Sequence, residues 1–287
     1  MGISFKEVAH YYPGLKKNDF VSAIHNINLD IDAKDEFLAI VGQTGSGKST
    51  LVQHMNCLLL PTNGIINIFD STITSKKRKN PKLKPIRKRI GFVFQFPEYQ
   101  LFEETVLKDI MFGPTNFGMT KEEALENAKK ACEILKIDES LLEKSPFNLS
   151  GGQMRKVAIA GVLAYNPDIL LLDEPTRGLD PMTAIEVMKI FEQINKEMHK
   201  TIIVITHDMN IVHEYSKRVV AMKDGEIFYD GSPYNLFKDD IYLDCHLNKP
   251  EILKVVDELN NKLGLNLDYN IKTSEDLINS LKEVYSE

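Results

Sequence analysis

A chain of 287 residues is long enough for one large domain or two modest ones around a sizeable buried core. Its 43 % hydrophobic and 26 % charged residues are ordinary for a soluble globular protein, and a net charge of −6 gives no general reason to expect nucleic-acid binding. Apolar runs such as Ile169 to Leu172 are far too short to span a bilayer and the N-terminus lacks a signal layout, so export is not expected and any membrane role must come through docking.

In chain order, residues 3 to 41 read as short strands, ending in the apolar run Phe37 to Val41. Gly42, Gln43, Thr44, Gly45, Ser46, Gly47, Lys48 and Ser49 then fit the phosphate-binding loop pattern, between a strand and a helix as that pattern demands. Its glycines let consecutive backbone N–H groups face a phosphate, and the helix N-terminus adds its dipole. Lys48 is expected on the β- and γ-phosphates, Ser49 on Mg²⁺, and Thr50 beside them. The stretch after Lys48 looks helical as far as Pro61, and Asn63-Gly64 reads as a turn into a strand over Ile65 to Phe69.

Nine cations between Lys76 and Arg89, with no acid among them, leave the rest of the chain at −15 against the overall −6. Such a run is a solvated loop or a patch facing phospholipid or a partner. A strand over Ile90 to Phe94 follows, and Thr120 with Glu123 forms a capping box for an amphipathic helix over 120 to 136. Cys57, Cys132 and Cys245 lack metal-like spacing and are expected to be buried, inert thiols in a reducing cytoplasm.

In the second half, Ser150, Gly151, Gly152 and Gln153 open a helix, a second anion-binding terminus. One chain does not need two such sites for one γ-phosphate, so the economical reading is that this one closes over nucleotide held by another subunit. The buried strand Ile169 to Leu172 delivers Asp173, expected on magnesium through water, and Glu174, expected to orient or deprotonate the attacking water. Pro181 starts a helix, and Thr201 to Thr206 is a strand. Strands alternating with helices imply a mostly parallel sheet covered on both faces. Residues 249 to 263 and 274 to 286 read as two appended amphipathic helices.

Leu149-Ser-Gly-Gly-Gln153 resembles the signature of the ATP-binding-cassette ATPases, and the other elements match that family in order over residues 1 to about 232. The resemblance implies an α/β P-loop ATPase with a mostly parallel core, an antiparallel β subdomain, a helical signature subdomain at about 97–160, and a C-terminal extension over 233–287. It further implies ATP and Mg²⁺ as ligands, with nucleotide sandwiched between two subunits. Gln95 fits the glutamine that senses magnesium and the membrane partner, and Gly178-Leu179-Asp180 the loop that crosses the dimer interface. His207 fits the histidine on the γ-phosphate, and Tyr12 the aromatic that stacks on adenine, with Tyr11 a close rival and a core tyrosine the plainer alternative.

Gln95 to Val106 and Leu149 to Leu163 resemble one of the two ATPase paralogues of the energy-coupling factor transporters. That implies an importer of vitamins or metal ions on the cytoplasmic side of the cell membrane. Its expected partners are a second, paralogous ATPase, a transmembrane scaffold and a substrate-binding membrane subunit. Glu98, Tyr99 and Gln100 are expected to form the docking surface, or else a partly buried loop. The extension after Gly231 is expected at the ATPase dimer contact. The chain departs from the family at Asp35 and Cys57, each standing where glycine is usual, and at Arg177, where a small residue is usual. Rival readings are a cassette ATPase of another transporter type, a soluble one acting on DNA or chromosomes, and a regulator that binds ATP without turning it over.

Overall fold

A computed structural model describes residues 2–14 and 19–284. The described strands form two sheets. The first is antiparallel, in the order β2 (Phe20–Ile31), β1 (Ile3–Pro13), β4 (Asn63–Ile68), β5 (Ser71–Ile73). Its first two strands are long ones, not the short strands the sequence suggests, because bulges between Phe5 and Tyr11 break the apolar alternation without ending the pairing. Asn63 and Gly64 are likewise already the start of β4 and not a turn.

The second sheet runs β10 (Glu226–Gly231), β9 (Arg218–Lys223), β3 (Phe37–Val41), β8 (Thr201–Ile205), β7 (Ile169–Asp173), β6 (Ile90–Val93). Its pairings are parallel from β9 through β6, with β10 antiparallel at the edge. Strands β3 and β8 are buried at every position, as expected when both faces are covered. Register brings Ile40 beside Ile205, Ile205 beside Asp173, and Leu172 beside Val93. The chain leaves four neighbouring strands at one edge, where open α/β sheets hold ligands.

Helix α1 (Lys48–Met55) stops well short of Pro61. Cys57 adopts a left-handed φ of 58°, and Leu58 and Leu59 donate back to the Gln53 carbonyl at 2.9 and 3.0 Å. That is a C-terminal cap of the kind glycine usually supplies. Helix α2 (Leu83–Arg89) forms the end of the basic run, and two of its cations are used internally. Arg87 donates to the Asn56 and Cys57 carbonyls, and Arg89 pairs with Asp168 at 2.6 Å.

Helices α3 (Val106–Asn116), α4 (Lys121–Ile134) and α5 (Gly151–Leu163) pack together beside β6. The Thr120–Glu123 capping box forms as expected, and Ser150 with Gln153 forms a second one at the start of α5. Helices α6 (Pro181–Met198) and α7 (Met209–Tyr215) complete the cover of the parallel sheet. Beyond Gly231 lie α8 (Pro233–Lys238), α9 (Ile241–Asp244), α10 (Glu251–Leu263) and α11 (Ser274–Val284). Residues 285 and 286 of the last expected helix lie outside the described residues. Leu236, Phe237, Cys245 and Leu253 join the main core, whereas Val256, Leu267 and Ile271 form a small one of their own. All three cysteines are free and buried, and burial raises each thiol above its ordinary pKa. Among the described residues no helix is long and apolar enough to cross a membrane.

Candidate functional site

The loop between β3 and α1 is a backbone cradle that tolerates no side chain at its ends. A Cβ on Gly42 would stand 2.2 Å from the Met222 carbonyl oxygen, and one on Gly47 2.6 Å from that of Ala23. Both residues also have positive φ, 140° and 100°. Lys48 Nζ donates to the Gly42 and Gln43 carbonyls at 2.7 Å each, which holds its charge over the loop. Burial lowers the Lys48 pKa, while Glu174 and Asp173 pull it back up.

A cleft of about 900 Å³ opens over this loop, lined by Gly42, Gln43, Thr44, Lys48, Glu174 and His207 among others. A second hollow of about 430 Å³ continues it past Ser49, Thr50, Gln95 and Asp173. Sequence-distant residues meet here because β3, β8, β7 and β6 end side by side.

Glu174 sits at φ 50°, a left-handed conformation rare for a non-glycine residue, with its N–H bonded to the Ile205 carbonyl at 2.9 Å. Such strain costs about 1–2 kcal/mol and is retained where a side chain must be aimed. Its Oε1 accepts from His207 Nδ1 at 2.8 Å. A carboxylate can only accept, so this contact sets the imidazole tautomer and leaves Nε2 to the cleft. Glu174 is mostly buried and His207 open to the cleft. Burial, then the neighbouring Glu174, raises the Asp173 pKa, and Lys48 and Arg177 draw it back down.

Among the described residues no group of three or more His, Cys, Asp or Glu could hold a metal unaided. The oxygens beside the loop are instead the Ser49 hydroxyl, the Gln95 amide and the Asp173 carboxylate. That sparse set fits Mg²⁺, which takes one or two protein carboxylates and fills its octahedron with phosphate and water.

Ser150, Gly151, Gly152 and Gln153 do not line this cleft. A Cβ on Gly151 or Gly152 would meet nothing within 4 Å among the described residues, so no packing inside the chain requires glycine there. Asp180 is also outside the cleft lining, where it caps α6 through Thr183, although Gly178 and Arg177 line the cleft. Tyr12 Oη lies 3.4 Å from Thr50 Oγ1, against the loop's helix, and its ring packs edge-on to His10. The Tyr11 backbone N–H bonds instead to Thr62.

Glu98, expected on a docking surface or in a partly buried loop, has a carboxylate that takes two hydrogen bonds from Arg155, at 3.0 and 2.9 Å. Tyr99, next to it, is 84 % exposed, and Phe102 and Phe112 stack edge to face nearby in sequence, both exposed. Sequence reading passed over Arg155 as a site residue, because only its pairing across 57 positions reveals its role. It also missed His246, Leu247 and Asn248, which bring the C-terminal region to the rim of the cleft.

Residues 24–177 match the family model described as ABC transporter. Over 98 % of its length the chain is 46 % identical to the energy-coupling factor transporter ATP-binding protein EcfA2 of Spiroplasma kunkelii, covering 92 % of that protein. Its similarity to the EcfA2 of Geobacillus kaustophilus is 43 % identity over 100 % of this chain and 98 % of that one. Among solved structures, cbiO1 from Clostridium perfringens, part of the ABC transporter complex cbiONQ, superposes with a TM-score of 0.73 at 35 % identity, over 91 % of this chain and 95 % of that one. A dimeric ATP-binding cassette in a post-hydrolysis state, bound to ADP and phosphate, superposes with a TM-score of 0.69 at 33 % identity, over 80 % of this chain and 98 % of that one.

Proposed function

The chain belongs to the ABC transporter ATPases, in their energy-coupling factor group, and from that premise we propose that it binds and hydrolyses ATP to drive an importer of vitamins or metal ions. The observation that carries this is the Glu174–His207 pair, 2.8 Å apart, lining the same cleft as Lys48. A regulator that only binds ATP has no use for a strained carboxylate held against an imidazole.

In this reading the loop from Gly42 to Thr50 cradles the phosphates, and Lys48 moves from its own carbonyls onto the β- and γ-oxygens. Ser49, Asp173 and Gln95 would hold Mg²⁺, which when bound neutralises charge developing on the phosphates. Glu174 orients the attacking water and takes its proton. His207, fixed at Nδ1 by Glu174, presents Nε2 to the γ-phosphate. Tyr12 packs on the adenine, supported by its place against Thr50.

The signature residues Ser150 to Gln153 and the loop at Asp180 serve nucleotide on a second ATPase subunit, a paralogue of this one. Two glycines at the N-terminus of α5, whose added Cβ atoms would meet nothing within 4 Å among the described residues, support that assignment. The extension over 233–287 contributes to the same dimer contact. Tyr99, with Phe102 and Phe112, offers apolar area to helices of a transmembrane scaffold, which recruits a separate cargo-binding membrane subunit. The chain is then peripheral on the cytoplasmic face of the cell membrane. Purification of the native complex tests this: an integral membrane subunit and a second ATPase should co-purify with the chain. Isolation with DNA-associated proteins alone would refute it.

A further inference from the structure

Arg177 lines both halves of the nucleotide cleft. With the Gln95 amide turned so that its oxygen faces these donors, Oε1 accepts from Arg177 Nη1 at 2.6 Å and from Nε at 3.3 Å. An amide oxygen has two acceptor sites, and this fork takes both. The backbone on each side is fixed as well. The Arg177 carbonyl accepts from Arg155 Nη1 at 2.9 Å, and Arg155 is clamped on Glu98. The segment from Gln95 to Glu98 and the segment from Pro175 to Arg177 are therefore joined at both ends through Arg155 and Arg177.

We propose that Arg177 is a positioning residue that latches Gln95 by its amide oxygen and must release it before that oxygen can ligate Mg²⁺. The two uses exclude each other, because the fork fills both acceptor sites and a guanidinium beside a divalent cation on one oxygen is repelled by it. Gln95 then has two discrete placements, on Arg177 or on the cation, and metal-loaded nucleotide moves it from one to the other. The Gln95–Glu98 segment leads directly to exposed Tyr99, so the latch holds the start of the docking surface until the cleft is filled.

The inference rests on the nucleotide-binding reading above, and its test separates the two. The dissociation constant of a non-hydrolysable ATP analogue is measured for the full chain with excess Mg²⁺ and with EDTA, and the ratio of the two gives the Mg²⁺-dependent gain. Arg177→Ala should enlarge that gain roughly three- to ten-fold over the unmodified chain, the worth of an exposed charge-assisted hydrogen bond. Arg177→Lys, which cannot fill both acceptor sites, should fall between the two. In a Gln95→Ala background Arg177→Ala should add nothing. An unchanged gain in Arg177→Ala overturns the latch, as does the same enlargement without Gln95, or a loss of affinity equal in Mg²⁺ and EDTA. If the unmodified chain binds no analogue under either condition, the nucleotide reading itself fails.

Discussion

Arg155 of α5 grips Glu98 with both arms of its guanidinium, at 2.9 and 3.0 Å, and its remaining amine reaches the carbonyl of Arg177 at 2.9 Å. The side chains are 4 % and 14 % exposed, so one nearly dry cation ties the segment after Gln95, the signature helix and the segment after Glu174 into one unit. Removing one partner of a buried pair is costly, because the other is left without compensation.

Arg155→Ala should therefore destabilise the chain by about 3–5 kcal/mol, since it strands the Glu98 carboxylate and the carbonyls of Pro175 and Arg177. Glu98→Gln should cost less, because the amide still accepts one bond and Arg155 keeps its carbonyls. Urea unfolding monitored by circular dichroism checks this ordering. Equal stability of Arg155→Ala and the unmodified chain would mean the pair is only a surface contact.

The docking surface is expected to lose function without losing nucleotide. Tyr99→Ala combined with Phe102→Ala should leave ATP affinity within about two-fold, since neither side chain lines the cleft. Assembly with the membrane scaffold, read by co-purification, should fall at least ten-fold for two exposed aromatic anchors. Retained assembly would place the docking surface elsewhere.

His54 should make stability pH-dependent. It is fully buried behind the phosphate loop, where Nδ1 donates to the Thr50 carbonyl at 2.6 Å and Nε2 faces His10 Nδ1 at 3.1 Å. Burial pushes its pKa down from 6.5 to about 4, and His10 adds to that, against the raising effect of the Thr50 and Leu60 carbonyls. The folded pKa lies below the unfolded one, so the stability contribution is present above pH 6.5 and is lost as pH falls towards 4. The full loss amounts to about 3 kcal/mol. Thermal melts between pH 7.5 and 4.5 should show it, and His54→Gln should flatten that part of the profile. An unchanged profile in His54→Gln would assign the acid sensitivity to other groups.

The residues that meet at the cleft were legible in the sequence because each ends or follows an apolar strand or opens a helix. Asp173 ends β7 and Glu174 follows it, His207 lies two residues beyond β8, Lys48 opens α1 after β3, and strand order does the rest. Less legible were places where a side chain's use depends on a distant partner. Glu98 reads as a free carboxylate until Arg155 is brought against it, and Arg177 reads as a tolerated departure until Gln95 is seen on it. Backbone sign was legible only indirectly. Asp35 and Cys57, where the resemblance leads one to expect glycine, both have positive φ, 59° and 58°, a conformation that glycine adopts most readily. The basic run misled in part, because net charge cannot show that Arg87 and Arg89 serve the fold.

The most direct test of the account asks whether Glu174 performs hydrolysis at this chain's own site. A photoactivatable ATP analogue would be loaded onto the assembled complex with Mg²⁺, chased, cross-linked, and the nucleotide recovered from this subunit scored as triphosphate or diphosphate. The unmodified chain should carry diphosphate. Glu174→Gln should bind the analogue as well but convert it roughly 10²- to 10⁴-fold more slowly, the range for loss of a positioned general base, and so retain triphosphate. Conversion in Glu174→Gln at the unmodified rate would contradict the assignment of the catalytic base.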